Sequence, residues 1–380
     1  MLSGFHECWE ESLGWENEDF NKPNVLDIWD HRTKDKLIEQ GKIKFSQFIE
    51  TDINPKLDKG NNELLRVERQ WMQIEKIQNN DSSVWLEKDG LKVEMNKWKY
   101  PLHFIDFETS TVAIPFNKDR HPYEGVAFQY SHHIVSEDGV IEHKGQYLNN
   151  ERGIFPNYEF VRRLKEELEQ DEGTIFRYHN HENTYLNMIY KQLQTEKDDV
   201  ADKDELCSFI QDITKSTKDS INKWCGDRNM EDLWILVKKY YYNPSTNGSN
   251  SLKDVLPATI NSSDYLKQKY SQPIYGTTKM PSLNFTKHQW LDIKENIASD
   301  PYDKLNISEF FDGADICDSQ ENSDGIKDGG AAMMAYAKMQ FEELSSEKRD
   351  ALQEALLRYC ELDTLAMVMI YEAWCEWLKN

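Results

Sequence analysis

The sequence predicts a mixed α/β fold preceded by a small helical region, and three observations carry that expectation. A β-prone apolar run over 102–105 leads directly into Asp106 and Glu108. Two further β-like runs, 126–135 and 140–148, flank Ser136-Glu-Asp-Gly139, whose glycine stands where a hairpin turn needs it. Segments with the 3.6-residue apolar period alternate with these runs, which is the pattern of a sheet flanked by helices.

In chain order, residues 1–98 read as a helical N-terminal region. Residues 25–41 end in a glycine suited to a helix C-cap, and 42–50 restart with Phe45, Phe48 and Ile49, so the two read as a helix–turn–helix-like hairpin. Leu64, Leu65, Val67, Trp71, Ile74 and Ile77 give 61–77 a helical spacing. The domain boundary falls near residue 98. Beyond the strand, 109–122 holds two prolines and reads as loop. Phe160, Val161, Leu164 and Leu168 predict a helix over 157–168 behind a cap. A short strand over 174–178 leads into a helix over 179–193.

Residues 195–230 are highly charged and close on Lys223-Trp-Cys-Gly-Asp227. Residues 233–242 are rich in aromatics, and Ser249 and Ser251 are suited to cap a short helix over 252–256. The stretch 257–328 is polar with several prolines and glycines, and reads as an insertion or long loop. Asp328-Gly-Gly330 marks the return to order, and two helices follow, the second running from about 345 to Trp377.

Composition bounds the function. The chain has 380 residues, of which 12% are aromatic and 38% hydrophobic. That is enough for a sizeable core and more than one module. Mean hydropathy is -0.78, and no run of about 18 apolar residues offers a membrane span. Nothing resembles a secretory leader. The six cysteines, Cys8, Cys207, Cys225, Cys317, Cys360 and Cys375, form no Cys-x-x-Cys pair. Free thiols in a reducing cytoplasm are therefore expected. A net charge of -23 argues against tight non-specific duplex binding, yet leaves room for an acidic site that becomes positive only when metal binds.

The chemistry-bearing residues fall in three places. Asp106 and Glu108 are two apart on a strand, so their carboxylates project to one face. Two oxygen ligands on a rigid strand suit a hard divalent metal, though two solvated acids on an edge strand would look the same. On the last helix, Leu352, Leu356, Tyr359, Asp363, Ala366 and Ile370 recur at steps of three and four. That face is apolar apart from a hydroxyl and a carboxylate, and burying an unpaired carboxylate costs roughly several kcal/mol. Between them, His179, Asn180, His181 and Glu182 crowd one strand-to-helix junction. Asn180 can cap that helix and Glu182 can favour its positive end. No cysteine or third histidine stands at a zinc spacing. Glu182 can instead add another carboxylate to the first pair.

Asp-x-Glu on a first strand, an acid at a strand–helix junction and Tyr-x-x-x-Asp on a late helix together resemble the DnaQ-like (DEDD) 3′–5′ exonucleases of the ribonuclease H-like superfamily, in the tyrosine variety. Phe104-Ile-Asp-Phe-Glu-Thr109, Tyr240-Tyr-Tyr-Asn-Pro244, Asn247-Gly-Ser-Asn-Ser-Leu-Lys253, Asp328-Gly-Gly330 and Tyr359-Cys-Glu-Leu-Asp-Thr-Leu-Ala-Met367 are similar to a bacterial group described as domain of unknown function 2779. The resemblance runs from about residue 100 to the C-terminus. It implies a ribonuclease H-like mixed β-sheet flanked by helices over 99–380. The second motif departs from the wider superfamily: Asn180-His-Glu182 is short, and glutamate stands where aspartate is usual.

What the resemblance implies is specific. Two Mg²⁺ or Mn²⁺ ions about 4 Å apart would clamp the scissile phosphate. Asp106 would bridge them, Glu108 and Asp363 would each complete one sphere, and Glu182 would act through the second ion or its water. Tyr359 would orient the attacking water, since a phenol titrating near 10 is a poor base at neutral pH. Thr109, Asn180, Asp232 and Ser251 would line the path of a single-stranded nucleic acid. Asp232 serves equally as a first-turn acid. Tyr240, Tyr241 and Tyr242 read as core packing ahead of base stacking, and Lys238 and Lys239 are the basic candidates. In relatives the preceding region resembles a Cas4-like nuclease with a four-cysteine cluster. Cys8 would match its last ligand while the other three are absent, which reads as a split version or C-terminal piece with such a nuclease as candidate partner, or as an ordinary free cysteine.

Overall fold

The computed structural model describes residues 3–54, 63–196, 200–305 and 329–379. Cys317 and Asp328, and the polar stretch beyond 305, lie outside them. The chain divides into two compact units, one formed by Met1–Val93 with Leu236–Ala258 and the other by Glu94–Ile235 with Thr259–Asn380. Residues 236–258 therefore belong with the N-terminal unit, although in sequence they follow the sheet strands.

The strands in chain order are β1 (Trp85–Leu86), β2 (Leu102–Ser110), β3 (Val126–Val135), β4 (Ile141–Leu148), β5 (Ile175–Arg177), β6 (Glu231–Asp232) and β7 (Tyr241–Tyr242). The larger unit is mixed α/β. Its five-stranded sheet has the order β4-β3-β2-β5-β6. β2, β3 and β4 are antiparallel, whereas β5 runs parallel to β2 and β6 parallel to β5.

β2 lies at the centre and is covered on both faces, which explains its near-continuous apolar run. Ile105 and Phe107 pack with Phe160, Val161 and Leu164 of the helix Asn157–Leu168, and with the helices His181–Thr195 and Lys203–Ile213. Phe104, Asp106 and Glu108 share the other face by the two-residue period. Phe104 stacks on Phe176 at 4.9 Å and meets Tyr371 of the C-terminal helix Ser346–Lys379 at 6.0 Å. A register shift between Glu108 and Thr109 ends the regular pairing of β2 with β3 just past the second carboxylate.

The hairpin and the first long helix follow the sequence expectation. Gly139, at φ 85, closes the turn with its N–H on the Ser136 carbonyl at 2.9 Å. The helix Asn157–Leu168 buries the four expected apolar residues, but it has no side-chain cap. Asn157 is instead fully buried: its Oδ1 accepts from the Ala127 N–H, and its Nδ2 donates to Gly125 and Gln192.

Two expectations need correction. Residues 25–41 are not one helix: a 3-10 turn Val25–Asp27 precedes a short helix Lys34–Glu39, with Asp30 left-handed between them. Asn24 caps the turn, and an antiparallel bridge joins it to Lys44, so the segment wraps a core of Trp15, Val25, Phe45, Phe48 and Ile74. The described part of the polar stretch, 257–305, is likewise not a plain loop. It holds the helix Asp264–Tyr270, a small hairpin of Ile293–Lys294 with Ile297–Ala298, and the buried rings of Tyr275, Trp290 and Tyr302.

In the smaller unit the helix Arg66–Gln78 carries a buried Arg69, which donates to the carbonyl of Tyr241 at 2.6 Å and faces the Tyr242 ring at 5.0 Å. Tyr240, Tyr241 and Tyr242 are all buried, β7 pairs with β1, and Lys239 is joined to Glu63 at 2.9 Å. The tyrosine run is core packing, as read. Among the described residues no helix is long and apolar enough to cross a membrane.

Candidate active site

The C-terminal helix explains how distant carboxylates meet. It crosses the face of the sheet that carries Asp106 and Glu108, and every residue from Tyr359 to Trp374 is buried. The apolar stripe seen in the sequence is thus too narrow a description, because this part of the helix is covered all round. Tyr359 and Asp363 sit one turn apart on it, 2% and 4% exposed.

Asp106, Glu108 and Cys360 each offer a ligand atom lying within 4.8 Å of the others. Cys360 Sγ is 3.6 Å from the Asp106 carbonyl oxygen and 3.8 Å from its Oδ2. Asp363 accepts a hydrogen bond from the buried Tyr302 hydroxyl, and the Tyr302 and Tyr359 rings lie 6.3 Å apart. Burial pushes the Tyr359 hydroxyl up from the ordinary phenol range, and the charges of Asp363, Glu108 and Asp106 add to the effect. Burial likewise raises the Cys360 thiol, with Asp106, Glu108 and Asp363 contributing in turn. One neighbourhood therefore contains Asp106, Glu108, Tyr359, Cys360, Asp363 and Tyr302.

Glu182 stands outside the 4.8 Å group, as Asp363 does. It is 1% exposed on the first turn of its helix, and burial pushes its carboxyl up to about 8. The charges bearing on it are Arg177, which lowers that value, and Asp232, which raises it. Its neighbour His181 links this helix to β2, with Nε2 3.0 Å from Thr109 Oγ1. Asn180 occupies the N-cap position without making a side-chain cap; its Nδ2 donates to Thr184 Oγ1 at 3.0 Å.

Asp232 has a clear local task. Its carboxylate pairs with the buried Arg177 at 3.0 Å and accepts the N–H groups of His179 at 2.9 Å and Trp234 at 3.1 Å. His179 is left-handed at φ 72, so this clamp holds the turn that aims the helix of Glu182. Ser251 belongs to the smaller unit, where its Oγ accepts from the Lys253 N–H at 3.4 Å at the start of the helix Leu252–Asn261. That matches its reading as a cap, although the helix is longer than expected. Cys8 is exposed on the helix Gly4–Leu13.

Three neighbours of the site were not legible as such. Cys360 lies inside the Tyr-x-x-x-Asp motif, and its place one residue after Tyr359 was the available signal. Tyr302 had none, because it lies in the polar stretch. Glu361 is fully buried beside the site, held by His143 Nδ1 at 3.1 Å, by Asn284 at 2.7 Å and by the Tyr275 and Ser282 hydroxyls. Burial would raise its carboxyl, but His143, Ser282 and Tyr275 outweigh that and hold it below the usual range.

The donor set fits a hard divalent cation. Asp106 and Glu108 supply oxygen ligands from a rigid central strand, and Asp363, outside the 4.8 Å group, is a third buried carboxylate whose charge bears on Tyr359 and Cys360 beside them. The thiol of Cys360 is the one soft atom in the group. No curated protein and no solved structure gives a significant match to the chain. Residues 103–251, which include β2 from its second residue, the junction at Glu182 and Asp232, match the model of the family described as domain of unknown function 2779.

Proposed function

We propose that this chain is a metal-dependent 3′–5′ exonuclease acting on single-stranded nucleic acid, with DNA favoured over RNA. The observation that carries the reading is the meeting of the Asp-x-Glu strand with the Tyr-x-x-x-Asp helix, seen in the approach of Cys360 to Asp106 and the shared charge environment of Tyr359. Two motifs some 250 residues apart come together, which supports a DnaQ-like, ribonuclease H-like reading.

In this reading Asp106, Glu108 and Asp363 hold Mg²⁺ or Mn²⁺. Bound there, such ions would polarise the scissile phosphate and stabilise the attacking and leaving oxygens. Tyr359 keeps its proton and acts as a hydrogen-bonding group that orients water. Tyr302 fixes the Asp363 carboxylate through its hydroxyl. The Asp232 clamp sets the helix start that presents Glu182, with Thr109 and Asn180 at the rim.

The test is incubation of the protein and an Asp106→Ala variant with end-labelled oligonucleotides in Mg²⁺ or Mn²⁺. Stepwise shortening by the parent and none by the variant is expected. No metal-dependent shortening of DNA or RNA would sink the reading.

One observation favours a second reading. Glu182 shares its surroundings with Arg177 and Asp232, outside the group formed by Asp106, Glu108 and Cys360. An accessory module that binds nucleic acid and works with a nuclease partner, of the Cas4-like kind, would tolerate that arrangement. It would bind oligonucleotide without shortening it.

A further inference from the structure

The chain as a whole is strongly acidic, yet residues 215–225 form a shallow, open hollow that bears lysines. Its volume is about 500 Å³, and its lining includes Lys215, Lys218, Lys223, Trp224, Ser216 and Thr217. Between 214 and 226 the charged residues are these three lysines and Asp219.

The loop is built, and the lysines are held in place by backbone bonds. Lys215 and Cys225 form an antiparallel bridge, the Ser216 N–H donates to the Trp224 carbonyl at 3.0 Å, and the Gly226 N–H donates to Thr214 at 2.9 Å. Gly226 is pressed onto the Asp212 carbonyl so closely that a Cβ would lie 1.8 Å from its oxygen. Lys223 Nζ donates to the carbonyls of Thr217 and Lys218, at 2.7 Å each, which ties the tip while keeping the charge. The half-buried Trp224 ring packs on Tyr190 at 5.0 Å and donates from Nε1 to Thr214 Oγ1 at 3.1 Å. An aromatic ring fixed among lysines is the combination that stacks a base and neutralises phosphates.

The position is equally informative. The Lys215 N–H donates to Asn183 Oδ1 at 2.9 Å, and Asn187 Nδ2 donates to the Lys215 carbonyl at 3.0 Å. The loop is therefore bolted to the helix that begins at His181, next to Glu182, and whose His181 meets Thr109 at the end of β2.

We propose that this loop is a second binding site, for the backbone and one base of a single-stranded nucleic acid whose end reaches the carboxylates. The proposal rests on the nuclease reading and narrows it, since such a site serves a polymer and is irrelevant to a dinucleotide.

The test uses the full chain in chelator, so that binding is read without cleavage. Fluorescence anisotropy would follow a labelled single strand of about 20 nucleotides between roughly 50 and 200 mM salt. The double variant Lys215→Gln/Lys218→Gln spares the loop-tying Lys223. It should bind about tenfold more weakly, with a salt slope shallower by about 1.4, from about 0.7 per lost phosphate contact. A control of equal charge, Lys144→Gln/Lys279→Gln at exposed positions, should change binding by less than about twofold. Failure of the parent to bind the strand, or equal losses in patch variant and control, overturns the proposal. Metal-dependent turnover of a dinucleotide, lost in Asp106→Ala, reads the carboxylate site separately. Such turnover, together with strand binding that the patch variant weakens no more than the control does, would overturn this inference and leave the metal-dependent carboxylate site standing.

Discussion

Cys360 Sγ lies 3.6 Å from the main-chain oxygen of Asp106 and 3.8 Å from its carboxylate. A fully buried thiol thus sits against the strand residue with the strongest claim to a metal, and within 4.8 Å of a Glu108 ligand oxygen. Hard cations pass over sulfur, whereas Zn²⁺ accepts it readily. Zn²⁺ should therefore bind the parent about tenfold more tightly than Cys360→Ser, while Mg²⁺ binding is unchanged. Competition titration measures both, and equal Zn²⁺ affinity would remove Cys360 from the site.

Asp232 illustrates how a residue that the resemblance places on the substrate path can hold structure instead. Its partners are a buried guanidinium and two main-chain N–H groups, one of them on the left-handed His179. Asp232→Ala would leave Arg177 buried without its carboxylate, a loss of about 3 kcal/mol or more. A lowered denaturation midpoint is expected. An unchanged midpoint with a raised KM would return Asp232 to substrate binding.

Glu182 gives a pH prediction for the metal-free protein. Its carboxyl is pushed up to about 8, against an ordinary value of 4.5. Between those values the folded chain holds a proton that the unfolded chain has lost, so stability falls as pH rises, and the loss levels off above about 8. Glu182→Gln should remove that part of the slope and be the more stable form at pH 8. Urea midpoints across this range in chelator check it, and parallel curves for the two proteins would contradict it.

Much of the sheet was legible because its periods are local. The run before Asp106 carries apolar residues of both parities, Leu102 and Phe104 on one face and Ile105 on the other, because β2 is covered on both faces, and the turn at Gly139 needs only four residues to declare itself. The helix 157–168 announced all four of its buried apolar residues. What stayed hidden depends on distant partners. Residues 25–41 have a helix-like composition, yet Asn24 and Asp30 break them to suit an aromatic core that includes Ile74 on a later helix. Tyr302 lies in a stretch with no apolar period, and only the fold brings its hydroxyl to Asp363. Residues 236–258 belong to the unit formed by the start of the chain, which spacing alone could not reveal. In the candidate site, Asp106 and Glu108 were visible from strand parity and Tyr359 and Asp363 from helical spacing. Cys360 lies outside both patterns, and Lys215 and Lys218 read only as part of a charged stretch.

The proposed nuclease chemistry depends on Asp106, Glu108 and Asp363 forming a metal centre. Calorimetric titration of the chelator-treated chain with Mn²⁺ tests it most directly, with Asp106→Ala and Asp363→Ala alongside. Saturable binding by the parent is expected, with affinity reduced roughly 10–100-fold or more in each variant. Absence of saturable binding by the parent, or equal affinity in all three proteins, would contradict it.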